Sequence, residues 1–146
     1  MLIKHVKNID IEDEFIRVNK TDTVFEIAKK LIDIRKERSC EAESEDLICI
    51  PILAAYVIEE GKPIGVIYEE DIINKVIIEG KDAKRLKAAD IMKPPICCSA
   101  HQEVREAINQ IIDNGLLTLA VCDGDQLVSV ISVFDAIFLN EELNDI

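Results

Sequence analysis

The chain of 146 residues is 49% apolar, which is enough to bury one core or two small cores that share an interface. Its 29 acidic and 17 basic residues give a net charge of −12, which repels a phosphate backbone and argues against nucleic acid as a partner. The apolar runs are strand-sized, so no membrane span or membrane partner is expected. The start of the chain lacks the pattern of a secretory signal, and five cysteines without C-x-x-C spacing favour reduced thiols over a metal site. We therefore expect a cytoplasmic protein.

The first half of the chain predicts a strand, a helix, two strands and a helix. Thr23 is a natural N-cap with Glu26 three residues later. The apolar residues that follow have helical spacing and predict one buried stripe, formed by Val24, Ile27, Ala28, Leu31 and Ile32. The remaining elements are expected at Phe15–Val18, at Ala54–Ile58 and Ile64–Ile67 around the turn residues Glu60-Gly61-Lys62, and at Glu70–Ile78.

The second half predicts the same order after a basic linker between Lys81 and Lys93. We interpret the linker first as a solvated helix and second as a neighbour of a ligand phosphate. The helical stripe returns at Val104, Ala107, Ile108, Ile111 and Ile112. The other elements are expected at Ile96–Cys98, at Leu117–Cys122 and Leu127–Ile131 around Asp123-Gly124-Asp125, and at Phe134–Leu139.

The two halves are copies of one pattern. Residues of the first helix such as Val24 and Glu26 reappear 80 positions later, whereas later residues such as Val66 and Asp71 reappear 64 positions later. The difference between the offsets, 80 and 64, leaves a 16-residue excess within 34–55 of the first copy. We therefore predict a first unit at 1–80, which includes the N-terminal segment, and a second unit at 81–146, which begins with the linker. Lys36–Ile50 should be a surface excursion that includes an extension of the first helix.

The doubled order resembles a tandem pair of cystathionine-β-synthase-type (CBS) domains, a stand-alone Bateman module. The residues that carry the resemblance are Asp90-Ile91-Met92, the segment from Val128 to Asp135, and the matching segment from Ile64 to Asp71. The resemblance implies an α+β fold of two β-α-β-β-α repeats packed with pseudo-twofold symmetry. It also implies two clefts for adenine nucleotides or S-adenosylmethionine, frequent dimerisation, and regulation instead of catalysis.

The second copy contains Ser132-x-x-Asp135 where a strand passes into a helix. The serine hydroxyl can cap the helix start, and an ionised Asp can accept hydrogen bonds from both hydroxyls of a ribose. Backbone N–H groups at the helix start favour a phosphate or carboxylate. The same motif taken alone also fits an ordinary capping box without a ligand. Apolar walls for a base are expected from Ile96, Cys98, Leu119, Ala120 and Val121, with Lys93 as the phosphate neighbour.

The first copy should bind more weakly. Its equivalent residues are Tyr68 and Asp71, with Ile16 and Val18 on the neighbouring strand. Tyrosine is bulky and caps poorly, and Glu69 and Glu70 at the helix start would repel a ligand phosphate.

Three function classes remain: a sensor of an adenosyl-type effector, a ligand-free dimeric scaffold, and an enzyme. The enzyme is disfavoured because no nucleophile–base pair, glycine-rich phosphate loop or metal cluster stands out, and no cofactor is expected. The adjacent Cys97 and Cys98 should point to opposite faces of a strand and act as small buried hydrophobes. A homodimer is expected through the apolar faces of the last helix of each copy, formed by Ile72, Ile73, Val76, Ile77, Ala136, Ile137 and Leu139.

Overall fold

The computed structural model describes residues 15–37 and 54–144, with side chains up to residue 141. The first repeat consists of β1 (Phe15–Val18), α1 (Val24–Glu37), β2 (Ala54–Glu59), β3 (Lys62–Tyr68) and α2 (Glu69–Ile72), which continues as a π-helical segment (Ile73–Ile78). After the short α3 (Ala88–Ile91), the second repeat consists of β4 (Cys97–Ser99), α4 (Val104–Asn114), β5 (Thr118–Asp123), β6 (Gln126–Ser132) and α5 (Val133–Asn144). None of the helices in these ranges has the length and apolar character that a membrane-spanning helix needs.

Each repeat contains one three-stranded sheet with the same topology. In each sheet, the first strand runs parallel to the second and the second is antiparallel to the third. The registers correspond: Val57 pairs with Gly65 and Val121 pairs with Ser129, and both hairpins have an irregularity directly after these pairs. The fold class and the doubled β-α-β-β-α order predicted from the sequence are therefore confirmed.

The helices cover the outer face of each sheet and form two separate cores. Thr23 and Glu26 make the predicted reciprocal cap of α1, with Glu26 N donating to Thr23 Oγ1 at 3.2 Å and Thr23 N donating to Glu26 Oε2 at 3.3 Å. The predicted stripe residues Val24, Ile27 and Leu31 are fully or almost fully buried. The corresponding residues of α4 are also buried, namely Val104, Ala107, Ile108 and Ile111. Ile32 and Ile112, which we also expected in the stripes, are 45% and 50% exposed, so each buried stripe is narrower than predicted.

The inner faces of the two sheets pack against each other and form a third core. The first repeat contributes an aromatic cluster in which the rings of Phe15 and Tyr56 meet edge to face at 5.6 Å. The second repeat contributes smaller side chains, among them Ala120, Leu127 and Val130. Because this core belongs to neither repeat alone, the two halves stabilise each other.

The linker differs from the solvated helix that we expected. Only four residues are helical, and Ala88 and Ile91 are buried in the core of the first repeat. Val66 and Lys93 exchange backbone hydrogen bonds of 2.9 and 3.1 Å, so the end of the linker continues the sheet beside β3. The expectation was wrong because the linker has its own apolar residues, which the charge pattern obscured.

Cys97 is exposed, so its prediction as a small buried hydrophobe was wrong, whereas Cys98 is buried as expected. The second-repeat helix α4 ends at Asn114, which matches Ile34 of the first repeat. The first helix α1 continues beyond that position to Glu37. The rest of the Lys36–Ile50 segment, and most of the 16-residue excess, lies outside the described residues.

Candidate functional site

Ser132 and Asp135 form a reciprocal cap at the junction of β6 and α5. Asp135 N donates to Ser132 Oγ at 3.1 Å, and Ser132 N donates to Asp135 Oδ2 at 3.1 Å. Ser132 is fully buried, whereas Asp135 is partly exposed. The serine therefore fixes the carboxylate at the helix start and leaves it accessible from outside.

The expected apolar walls of this cleft lie on two different faces of the sheet. Ile96 is half-exposed, and its carbonyl accepts the Ala120 N–H at 2.9 Å. Ala120 faces the core between the repeats, whereas Cys98 lies with Leu119 and Val121 in the core under α4. The structure thus brings Ile96 and Ala120 together through the backbone and places the Cys98 side chain on the other face.

Lys93 makes its contacts with the first repeat. Its Nζ lies 3.4 Å from both carboxylate oxygens of Asp71 and 4.4 Å from the centroid of the Tyr68 ring. The linker turns onto β3 and so brings Lys93 to the first repeat. We expected its ammonium group beside the second cleft, but it neutralises the carboxylate of the first cleft.

The carboxylate of the first cleft is buried and engaged. Asp71 is 7% exposed and accepts the Tyr68 N–H at 2.8 Å in addition to the Lys93 contact. Ile16 and Val18 are buried in the core under α1, and Ile16 also borders a small cavity of about 320 Å³ together with Arg17 and Lys30. Glu69, which we expected to repel a phosphate, is paired with Arg35.

A buried hydroxyl cluster joins the two repeats, and sequence reasoning did not find it. The hydroxyls of Tyr56 and Tyr68 both lie 2.6 Å from Thr118 Oγ1. Burial raises the pKa of Tyr56 well above its ordinary value, so this phenol stays protonated. Thr118 pairs with Ser132 across the sheet, so the cluster reaches the edge of the second cleft. The one signal in the sequence was a tyrosine where the second copy has serine.

Within the described residues, no three His, Cys, Asp or Glu side chains are grouped so that they could hold a metal ion. The two histidines gave no metal prediction. His101 lies 3.6 Å from Asp123 on the surface, and His5 lies outside the described residues.

A family model identifies the family of the chain. A protein-family model described as CBS domain matches residues 6–78 and again 88–141. An uncharacterised protein from Methanopyrus kandleri is 34% identical over 79 residues, which are 53% of this chain and 40% of that protein. The chain therefore spans less than half the length of this curated relative.

Two solved structures show the same fold at low sequence identity. A CBS domain protein from Pyrobaculum aerophilum complexed with AMP superposes with a TM-score of 0.70 at 19% identity, over 98% of this chain and 99% of that chain. The cytosolic domain of the Mg²⁺ channel MgtE in complex with ATP superposes with a TM-score of 0.64 at 24% identity, over 87% of this chain and 45% of that chain.

Proposed function

The chain belongs to the family of CBS-domain proteins as a tandem pair of such domains, and we propose that it is a cytoplasmic regulatory module that binds an adenosyl-type ligand at Ser132 and Asp135. The match indicates no catalytic family, and the proposed role is to sense a ligand. The AMP and ATP complexes of the two structural neighbours support an adenine nucleotide as the ligand class.

The observation that carries the proposal is the state of the Asp135 carboxylate. Its Oδ2 accepts only the Ser132 N–H within the described part of the chain, and the side chain is partly exposed. A carboxylate in this state has lone pairs for both hydroxyls of a ribose, because each hydroxyl can donate one hydrogen bond. The start of the twelve-residue helix α5 adds backbone N–H groups beside it.

The first cleft lacks this free acceptor. Asp71 already accepts a backbone N–H and pairs with Lys93, and a ribose would have to displace that ammonium group. We therefore propose that the second cleft binds more tightly than the first.

The proposed ligands are AMP, ADP, ATP and S-adenosylmethionine. A chain with a net charge of −12 repels a triphosphate at long range, which favours a mono-anionic or cationic ligand. A thermal-shift panel of these four compounds separates a sensor from a ligand-free scaffold, because a ligand at a hundred times its dissociation constant adds about 2.7 kcal/mol of stability.

Calorimetry on variants tests the cleft assignment. Asp135→Ala should weaken binding about tenfold or more, because a hydrogen bond to a charged group contributes roughly 1.5–3 kcal/mol. Asp71→Ala should have a smaller effect on the same titration. Asp113→Ala, which removes an exposed carboxylate from α4, is the matched control and should bind like the wild type. Loss of binding in Asp71→Ala alone would reverse the assignment, provided that all three variants melt cooperatively.

A ligand-free dimeric scaffold is the alternative function. Val76 and Ala136 point inward, but other apolar residues of the π-helical segment and α5 remain 37–73% exposed, namely Ile73, Ile77, Ile78, Phe134, Ile137 and Phe138. Such a surface favours association with a second copy. Sedimentation at micromolar concentration should show a dimer, and Ile77→Glu with Ile137→Glu should convert it to a folded monomer. If no adenosyl compound binds while the dimer persists, the scaffold function replaces the sensor.

A further inference from the structure

A second cavity lies between the two repeats, on a different part of the interface from the Asp135 cleft. It has a volume of about 620 Å³ and is lined by Lys62 and Pro63 of β3 and by residues of the second repeat that include Cys97, Cys98, Cys122 and Asp125. Neither Ser132 nor Asp135 lines it. The cavity is therefore separate from the proposed adenosyl site.

Strand register places two thiols on the same wall of this cavity. Cys97 pairs with Ala120, and Ser99 pairs with Cys122, in the parallel ladder between β4 and β5. Side chains two residues apart on a strand share a face, so Cys97 and Cys122 lie on the side that faces the other repeat. Cys98 occupies the opposite face, in the core under α4.

We propose that Cys97 and Cys122 bind one soft monovalent metal ion, Cu(I), in this cavity. Thiolate sulfur is the ligand type that selects Cu(I), and Cu(I) accepts a coordination shell of only two sulfurs. Harder divalent ions need more ligands. Cys98 and Asp125 also line the cavity, but the described residues form no group of three His, Cys, Asp or Glu that could hold a metal ion.

Charge and access fit this assignment. The Cys97 thiol is exposed, so an ion can reach the pair from the cavity. Both thiols lose their protons on binding, so the filled site carries one net negative charge. Lys62 and Asp125 both line the cavity, and Lys62 supplies the positive charge that can balance the filled site.

A direct disulfide is the less favourable use of the pair. Residues on the diagonal of a parallel ladder, two positions along and one strand across, have Cα atoms about 8 Å apart by ideal strand spacings. Disulfides need Cα separations below roughly 7 Å. A metal ion between the two sulfur atoms can link the residues at this Cα separation without movement of the backbone.

The test is an anaerobic titration of the reduced full-length chain with Cu(I), in competition with a chromophoric Cu(I) chelator. We expect one equivalent per chain, and X-ray absorption should show a shell of two sulfurs. Cys97→Ser and Cys122→Ser should each weaken binding by roughly tenfold or more. Because Cys97 is exposed, Cys97→Ser keeps the proposal testable even if Cys122→Ser does not fold.

Two controls decide whether the ion occupies this site. Cys98→Ala removes the third thiol that lines the cavity, and it should bind like the wild type because the Cys98 side chain packs in the core under α4. The double variant Cys40→Ser with Cys49→Ser removes the other two thiols of the chain and should also retain one equivalent. Loss of binding in either control, unchanged binding in folded Cys97→Ser, or a preference for Zn(II) would overturn the proposal.

Discussion

The two repeats differ most at the residue pair beside each helix start. In the first repeat Ala54 pairs with Tyr68, and in the second Thr118 pairs with Ser132, at corresponding positions of the same ladder. The hydroxyl of the small Ser132 accepts a hydrogen bond from Asp135 N and so caps α5. The large tyrosine extends away from its own helix, and its hydroxyl reaches Thr118 of the other repeat. A small residue at this position therefore makes a local helix cap, whereas a large one makes a contact between the repeats.

The carboxylates that follow show the functional consequence. Asp71 and Asp135 both accept the backbone N–H of the residue three positions earlier. Among the described residues, an ammonium group lies beside Asp71 but not beside Asp135, because the linker carries Lys93 onto β3. The comparison shows that a shared motif does not guarantee a shared site: what lies beside the motif decides whether its acceptor is free.

The largest effect that tests the equivalence of the repeats comes from their cores. Ile67 and Ile131 occupy matching positions and are 0% and 1% exposed. Replacing either by Ala should lower the free energy of unfolding by about 2–5 kcal/mol, because a buried aliphatic side chain leaves a cavity. Chemical denaturation should show one transition in both variants, since the sheets share a core. A second transition in one variant only would show that the repeats unfold separately.

A smaller effect on stability is expected at a position where a side chain packs closely against the backbone of the first repeat. A Cβ added at Gly65 would lie 2.8 Å from Met92 Cβ, so Gly65→Ser should cost about 1–3 kcal/mol of stability through overpacking. The matching residue Ser129 is 6% exposed, and its Oγ has no hydrogen-bond partner among the described residues. Ser129→Ala should therefore be neutral or slightly stabilising. Thermal unfolding of both variants measures the contrast, and equal losses would contradict it.

The internal repeat was sufficient to predict the fold. Matching residues at fixed offsets predicted the order of the strands and helices, because hydrophobic periodicity reports which face of an element is buried. The reciprocal cap of Ser132 and Asp135 was also predictable, since its partners are three residues apart. Local chemistry of this kind can be inferred from spacing alone.

Contacts between distant parts of the chain could not be predicted in this way. The Tyr68–Thr118 hydrogen bond joins residues 50 positions apart, and Lys93 lies 22 positions from Asp71. Both depend on how the repeats and the linker pack, which local periodicity does not encode. The same holds for Cys97 and Cys122: the sequence showed the adjacent Cys97 and Cys98, whereas the ladder between β4 and β5 places Cys97 and Cys122 on one face of the sheet.

The contact between the repeats can be tested by removal of a single hydroxyl. Tyr68→Phe should lower stability by about 0.5–1.5 kcal/mol, because Thr118 keeps its bond to Tyr56 while one buried hydrogen bond is lost. Tyr68→Ser, which copies the second repeat, should cost more because it also empties buried volume. Denaturant midpoints measure both variants. A Tyr68→Phe protein as stable as the wild type would show that the hydroxyl does not join the repeats.

The smallest expected effect distinguishes the repeats at alkaline pH. Cys98 of β4 corresponds to Val18 of β1, and both are buried. Burial, followed by the Cys122 and Cys97 thiols, raises the pKa of Cys98 to about 12, above the ordinary thiol value of 9.0. The folded state therefore favours the protonated thiol. The stability that this preference contributes is fully present below the unfolded pKa, and it is lost as pH rises from there towards the folded pKa.

Cys98→Val removes this titration and makes the second repeat resemble the first. Between about pH 7.5 and 9.5 the wild type should lose up to about 1 kcal/mol more stability than the variant, because only its unfolded state begins to release the proton. Other titrating groups are common to both proteins and cancel in the difference. Urea unfolding across this pH range measures that difference. Parallel curves for the two proteins would show that Cys98 is not held protonated by the fold, and the two repeats would then respond alike to pH at this position.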